Sequence, residues 1–242
     1  MRPRLSTKSL ALTVVFAALY ATLSFLPLFP LIGAQGKFIQ AGNVLATLIG
    51  IILGPWLGVF AIAVGGSIDA FLPQTGSFGP LSFIPHLATA LCGGLLYNNK
   101  RWVCGAAYSL LIVAFAFYPV VGPAWLWPLF LWLHVVGLAL MFSPLQPKAN
   151  RFIREDKEVP KLALGFGVTS FLAALFGHAV GTLMFEATYW PILIDEVEAW
   201  LFNWQALTLL YPIERGLIAV FSTAIGVGVL RALRAYGFEV GG

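Results

Sequence analysis

The chain has 242 residues, 60% of them hydrophobic and 10% charged, with a formal net charge of +4 and a mean hydropathy of +0.89. A soluble domain carries about 25% charged residues, so this composition excludes a water-soluble enzyme and defines an integral membrane protein. The basic residues gather at Met1–Lys8, Lys100–Arg101, Lys148–Lys161 and Arg231–Arg234; long apolar stretches between these clusters are what membrane topology requires and a nucleic-acid footprint does not.

The first apolar run, Leu10 to about Phe29, follows basic residues but is not followed by a convincing small-residue cleavage site, so it is expected to stay as a span. Thr13, Ala17, Ala21 and Ser24 give it a small packing face. Pro27 and Pro30 end it. Leu31–Gly42 is expected to be a loop whose Gln35, Lys37 and Gln40 reach over a binding site. The run Asn43–Leu53 is too short to cross a hydrocarbon layer of about 30 Å unless tilted or paired with a neighbour.

Gly54 tolerates whatever angles end that run, and Pro55 supplies the φ of a first helical turn. From there Gly58, Ala61, Gly65 and Asp69 follow at spacings of three and four, which forms a groove for another helix backbone with an acid at its end. Pro73–Pro80 is turn-rich. The next run closes at Tyr97 and is interrupted near its start by Pro85–His86, and Trp102–Tyr118 follows. Ala124–Phe142 then carries His134 near its middle.

Ser143–Pro160 is the longest polar connection and reads as a surface linker or partner contact. Lys161–Ala187 presents Gly165, Thr169, Ala173, Gly177 and Gly181, a ladder at i,i+4 that belongs to a tightly packed helix. Trp190–Trp200 is acidic through Asp195, Glu196 and Glu198 and reads as an interfacial helix or cap outside the hydrocarbon layer. Pro212 is expected to bend the last run, Asn203–Leu233.

The pattern predicts an all-α, polytopic membrane bundle of about six to eight helical segments with both termini cytoplasmic. It forms one transmembrane domain, residues 1–242, in the cell membrane, with a cytoplasmic loop at 143–160 and an extracytoplasmic interfacial segment at 189–202. Cys92 and Cys104 fall on the cytoplasmic side, where a structural disulfide is not expected.

Counting about 1.5 Å per residue from the outer helix ends places His134, His178, Glu214 and Arg215 at a similar depth, roughly 15 Å. Polar groups at that depth must meet one another, water or a ligand. Adjacent residues point in different directions, so Glu214 and Arg215 are each expected to need a further partner. Structural roles compete: a charge system holding a kinked helix, or histidines satisfied by one backbone or hydroxyl group. A shallower set, Gln35, Lys37, Gln40, Asp69, His86 and Glu186, would line a vestibule or sit as ordinary interfacial residues. Tyr20, Trp125, Tyr189 and Trp204 are stacking candidates or belt aromatics.

No Walker lysine motif, dinucleotide fingerprint or HExxH occurs. No catalytic residue, metal or cofactor is therefore assigned to this chain, and ATP-driven work would need another subunit.

Ala17 and Ala21 in a basic-led first helix, then a loop, the Gly54–Pro55 break, the glycine-rich helix with Gly58, the turn-rich region before His86, and Gly93–Gly94 together resemble the substrate-specific membrane subunits of energy-coupling-factor vitamin transporters. The resemblance covers roughly Leu10–Arg101. It implies a subunit that captures a small vitamin-like molecule from outside and reorients against a transmembrane coupling subunit driven by an ATPase pair. It further implies that Ala17 and Ala21 contact the coupling subunit and that Leu31–Gly42 helps close the site. Two rivals make different demands: an intramembrane enzyme using His134, His178 and Glu214 on a lipid or isoprenoid, and a structural assembly protein with a fully packed interior.

Overall fold

The computed structural model describes residues 7–30, 38–69, 71, 78–238 and 240, with Phe29, Ile39 and Asp69 described in backbone only. Helix α1 (Thr7–Ser24) leads into a short antiparallel pair, β1 (Pro27–Pro30) and β2 (Phe38–Gln40). There follow α2 (Gly42–Asp69), α3 (Ile84–Tyr97), α4 (Arg101–Ala116), a four-residue α5 (Pro123–Leu126) and α6 (Trp132–Phe142). The chain then runs through α7 (Leu145–Glu155), α8 (Val159–Tyr189) and α9 (Val197–Ala235). Among the described residues five helices, α2 taken at its full length, are long and apolar enough to cross a membrane, or six if Pro128–Phe142 and Leu145–Glu155, bent by 64°, count as one span.

Helix α2 is folded back on itself. Gly54 has φ 79° and ψ 171°, a combination that essentially glycine alone adopts. In a straight helix residues 50 and 58 stand about 12 Å apart, yet a Cβ added to Gly58 would lie 2.9 Å from the Cα of Gly50. The arms 42–53 and 55–69 are thus antiparallel. Both open ends rest on one ring of α1, since a Cβ at Gly42 would meet Tyr20 at 3.1 Å and one at Gly65 would meet it at 3.0 Å. The short second run and the glycine-rich helix therefore form one hairpin, with Pro55 just past its tip. Its groove residues do what their spacing implied: Gly58 faces the first arm, Ala61 is buried, and Gly65 lies against the Ala17 carbonyl.

Two apolar cores meet along α3 and α8. One packs Tyr20, Leu48, Ile49, Ile51 and Ile62 from α1 and α2 against Phe166 and Leu230. The other packs Tyr108, Phe115, Phe130, Phe176, Trp200, Trp204 and Tyr211. The small-residue ladder of α8 brings the backbones together: Gly165 lies against the Ala149 carbonyl of α7, and a Cβ at Gly177 would sit 2.7 Å from the Pro85 carbonyl of α3. Leu10, Val14, Trp56, Leu110, Leu209 and Val220 point outward; in a bilayer such side chains face acyl chains and cost nothing.

Four local expectations need correction. Part of the loop after α1 is extended, because β2 pairs back onto β1, with Gln40 opposite Pro27. The connection 143–160 holds the helix α7, whose Ala149 and Ile153 are buried. Trp190–Trp200 is no separate helix: α9 begins at Val197 and the Trp200 indole donates to the Ile194 carbonyl at 3.1 Å. The last run is also not broken at Pro212, since α9 continues through it. Proline there leaves the carbonyl of Thr208 without its usual N–H donor, and the Trp132 indole reaches that carbonyl at 3.5 Å.

Candidate functional site

Between β2, the starts of α2 and α3, and the middles of α8 and α9 lies a cavity of about 140 Å³. Pairing with β1 fixes Gln40 at its rim, and Asn43 follows in the first turn of α2. Pro85 occupies the opening turn of α3, so the interruption seen in the sequence is a helix start, and His86 next to it faces the cavity. Helix α8 supplies His178, Thr182 and Phe185, and α9 supplies Trp204, Leu207, Glu214 and Arg215. Phe38, Phe78, Ser82 and Phe130 complete the walls together with Gly177 and Gly181, which leave room where side chains would fill it.

Four of the polar wall residues have side-chain partners. His86 shares a 2.5 Å hydrogen bond between Nδ1 and the Tyr20 hydroxyl, which ties the cavity to α1. His178 stacks on His134, rings 5.3 Å apart and 7° from parallel, and on Tyr211 at 4.9 Å. His134 is itself fixed by the Tyr108 hydroxyl at 2.7 Å, and Tyr211 donates to the Phe130 carbonyl at 2.8 Å. Glu214 and Arg215 pair with each other at 3.3 Å, their side chains 11% and 9% exposed. The sequence reading expected separate partners; the long guanidinium curls back to its neighbour instead.

Two residues of this wall each carry a buried polar atom with no hydrogen-bond partner among the described residues, Nδ1 of His178 and Nε of Arg215. Leaving a buried polar group unmade costs about 1–3 kcal/mol, so a ligand edge that meets these atoms gains affinity from the site's own deficit. Trp204, Phe130 and Phe185 line the same space.

The structure brings together Gln40, His86, His178, Glu214 and Arg215 and separates others from them. His134 is fully buried behind His178 and does not line the cavity. Glu186 is fully buried one turn beyond Thr182, off the cavity wall, with neither carboxylate oxygen bonded among the described residues. Lys37, Gln35 and the side chain of Asp69 lie outside the described residues. Trp125 is 59% exposed and packs on Phe117, away from the cavity, and Tyr189 packs on Phe185. Ala17 and Ala21 are 5% and 7% exposed, so their small faces are occupied by α2 of the same chain. Asn43, Ser82, Thr182 and Phe130 were not singled out from sequence; only Thr182, one turn from His178, carried a periodic signal.

Tyr20→Phe removes the hydroxyl from a fully buried pair and leaves the His86 ring nitrogen unmet. Thermal melting of the purified chain is expected to show a loss of about 1–3 kcal/mol. An unchanged melting temperature would mean the bond contributes nothing.

A membrane bundle with an aromatic-walled cavity and open polar atoms is a ligand-binding membrane protein. A family model described as ECF-type riboflavin transporter, S component, matches residues 4–143, more than half of the chain, and the chain belongs to that family. It is the substrate-binding membrane subunit of an ECF-type vitamin transporter, a transport component without catalysis of its own. Among the described residues no group of three His, Cys, Asp or Glu is arranged to hold a metal ion. No curated protein and no solved structure matches the chain.

Proposed function

We propose that this cavity captures a fused-ring vitamin of the flavin type. The observation that carries the proposal is that aromatic side chains line the same space as His178 and Arg215, whose Nδ1 and Nε are buried without a hydrogen-bond partner among the described residues. A planar heteroaromatic ring stacks on such walls while its polar edge meets donors and acceptors. Gln40, Asn43 and Ser82 at the rim suit a hydroxylated tail. The present volume of about 140 Å³ resembles a cavity that holds one benzene ring, and sites for larger ligands run to about 300–1,000 Å³. Binding therefore requires the cavity to widen, and Phe38 and Phe78 at its rim are the side chains whose displacement does so without disturbing α8 and α9.

The proposed topology has six to eight crossing segments, the α2 hairpin entering and returning to the side it left, with both termini cytoplasmic. Reversal at Gly54 supports it, because each later segment then alternates and the basic groups of α4, α7 and α9 fall on one side. Segment 189–202, with Asp195, Glu196 and Glu198, is extracytoplasmic in this reading. The proposed partners are a transmembrane coupling subunit and an ATPase pair, as the family implies. Ala17 and Ala21 serve that contact indirectly, by seating α1 on Gly65 and leaving its Leu10 and Val14 side outward.

Uptake of labelled riboflavin by cells tests this reading. Transport is expected only when the chain is expressed with a coupling module and ATP is available. Uptake by the chain alone at the same rate would contradict it.

A further inference from the structure

Helix α7 carries a second, polar site on the basic side of the bundle. Its buried face is Gln146, Ala149, Asn150 and Ile153, and its outward face presents Lys148, Arg151 and Arg154 at intervals of three. Asn99 of the α3–α4 turn, Asn150 and the three basic residues line an open groove of about 450 Å³, in which Glu155 is the one acid.

The groove is built. Asn99 stands at φ 59°, a conformation asparagine tolerates, and its Oδ1 accepts from Asn150 Nδ2 at 2.6 Å. Asn150 is 1% exposed and its Oδ1 has no hydrogen-bond partner among the described residues. The far end of α7 is clamped by Arg234, whose Nη2 donates to the Ile153 carbonyl. Nearby acids are engaged elsewhere: Lys161 pairs with Asp156 at 3.6 Å and with Glu158 at 3.1 Å. Among the described residues Lys148, Arg151 and Arg154 form no ion pair, while Lys148 and Arg154 rest over the rings of Phe152 and Tyr97.

The groove also sits at the level of the membrane surface. Arg101, two residues from Asn99, donates to the Ser143 carbonyl at 3.1 Å and lies over Trp102. Trp102 is exposed and packs on Phe142, the position an interfacial tryptophan takes. A soluble anion has no reason to be matched with such an apolar collar; a lipid headgroup has its acyl chains beside it.

We propose that this groove binds the headgroup of an anionic glycerophospholipid, such as phosphatidylglycerol, from the adjoining leaflet. The phosphodiester accepts from Lys148, Arg151 and Arg154, and a headgroup hydroxyl donates to Asn150 Oδ1. The site fixes the end of α7 against α3, α4 and α9, on the opposite side of the bundle from the vitamin cavity.

Native mass spectrometry of the detergent-purified chain, offered phosphatidylglycerol and phosphatidylcholine together, tests the proposal. Retention of phosphatidylglycerol is expected, with phosphatidylcholine displaced. Each basic residue near a lipid surface contributes enough that Lys148→Gln, Arg151→Gln and Arg154→Gln combined should reduce that preference by on the order of 100-fold. Arg151→Glu alone, at an exposed position without protein partners, should weaken it in a chain that folds normally, and Asn150→Asp should do so by setting a like charge against the phosphate. Equal retention of both lipids, a preference that survives the combined substitution, or displacement by millimolar inorganic phosphate would overturn it, the last by showing a free-anion site.

Discussion

Replacing Gly54 with alanine is expected to unfold the amino-terminal half of the protein at temperatures the parent chain survives. Alanine at φ 79°, ψ 171° carries a backbone penalty of about 1–3 kcal/mol. Relaxing that penalty straightens the hairpin and pulls both arms of α2 off Tyr20. Gly94→Val should have a comparable effect by a different route. A Cβ there would stand 2.6 Å from the Pro55 nitrogen and 2.7 Å from the Gly50 carbonyl oxygen, both backbone atoms that no rotamer change can move aside. Overpacking of this kind costs about 1–3 kcal/mol and more where backbone must shift. Gly216→Ala is the control, because nothing lies within 4 Å of a Cβ at that helical position and alanine is the better helix former by about 1 kcal/mol. Thermal melting in detergent distinguishes these cases. Equal melting temperatures for Gly54→Ala and Gly216→Ala would contradict the hairpin.

Arg215→Met should abolish high-affinity ligand capture. Truncating one member of a buried, hydrogen-bonded charge pair costs about 2–5 kcal/mol in binding, so affinity should fall at least ~30-fold. The same change strands Glu214 and lowers stability by about 3–5 kcal/mol, which alone would blur the result. Pairing Arg215→Met with Glu214→Gln removes the stranded charge and is expected to return most of the stability. It should not return the affinity. A double variant that binds as tightly as the parent would show the pair to be structural only.

The parts of this fold that spacing controls were legible in the sequence. Gly58, Ala61 and Gly65 repeat on one helix face, and packing partners were found for each. Depth counting brought His134 and His178 together from stretches forty-four residues apart, since membrane spans run nearly parallel and share a common zero at the surface. What the sequence did not carry was orientation about each helix axis. His134 and His178 stack on one another, yet only His178 reaches the cavity, because the Tyr108 hydroxyl holds His134 in the core behind it. Glu186 likewise lies on the expected helix but off the cavity wall.

The Gly54–Pro55 break was visible, but its sharpness was not: glycine permits a kink and a full reversal alike, and the choice is made by Gly50, Gly58 and Gly94 meeting across the tip. The Glu214–Arg215 pair shows the converse. Neighbouring Cα–Cβ vectors on a helix diverge by about 100°, but an arginine is long enough to return. Part of the polar wall, including His178, Thr182, Glu214 and Arg215, lies beyond the matched residues 4–143, so the proposed site draws on residues that the family match does not cover.

Equilibrium titration of the purified chain with riboflavin, followed by quenching of flavin fluorescence as the ring stacks on aromatic side chains, tests the central claim most directly. Saturable quenching at one ligand per chain is predicted, lost in the Glu214→Gln, Arg215→Met double variant while that protein remains folded. Absence of saturable quenching by the folded parent chain, or equal quenching by the double variant, would contradict it.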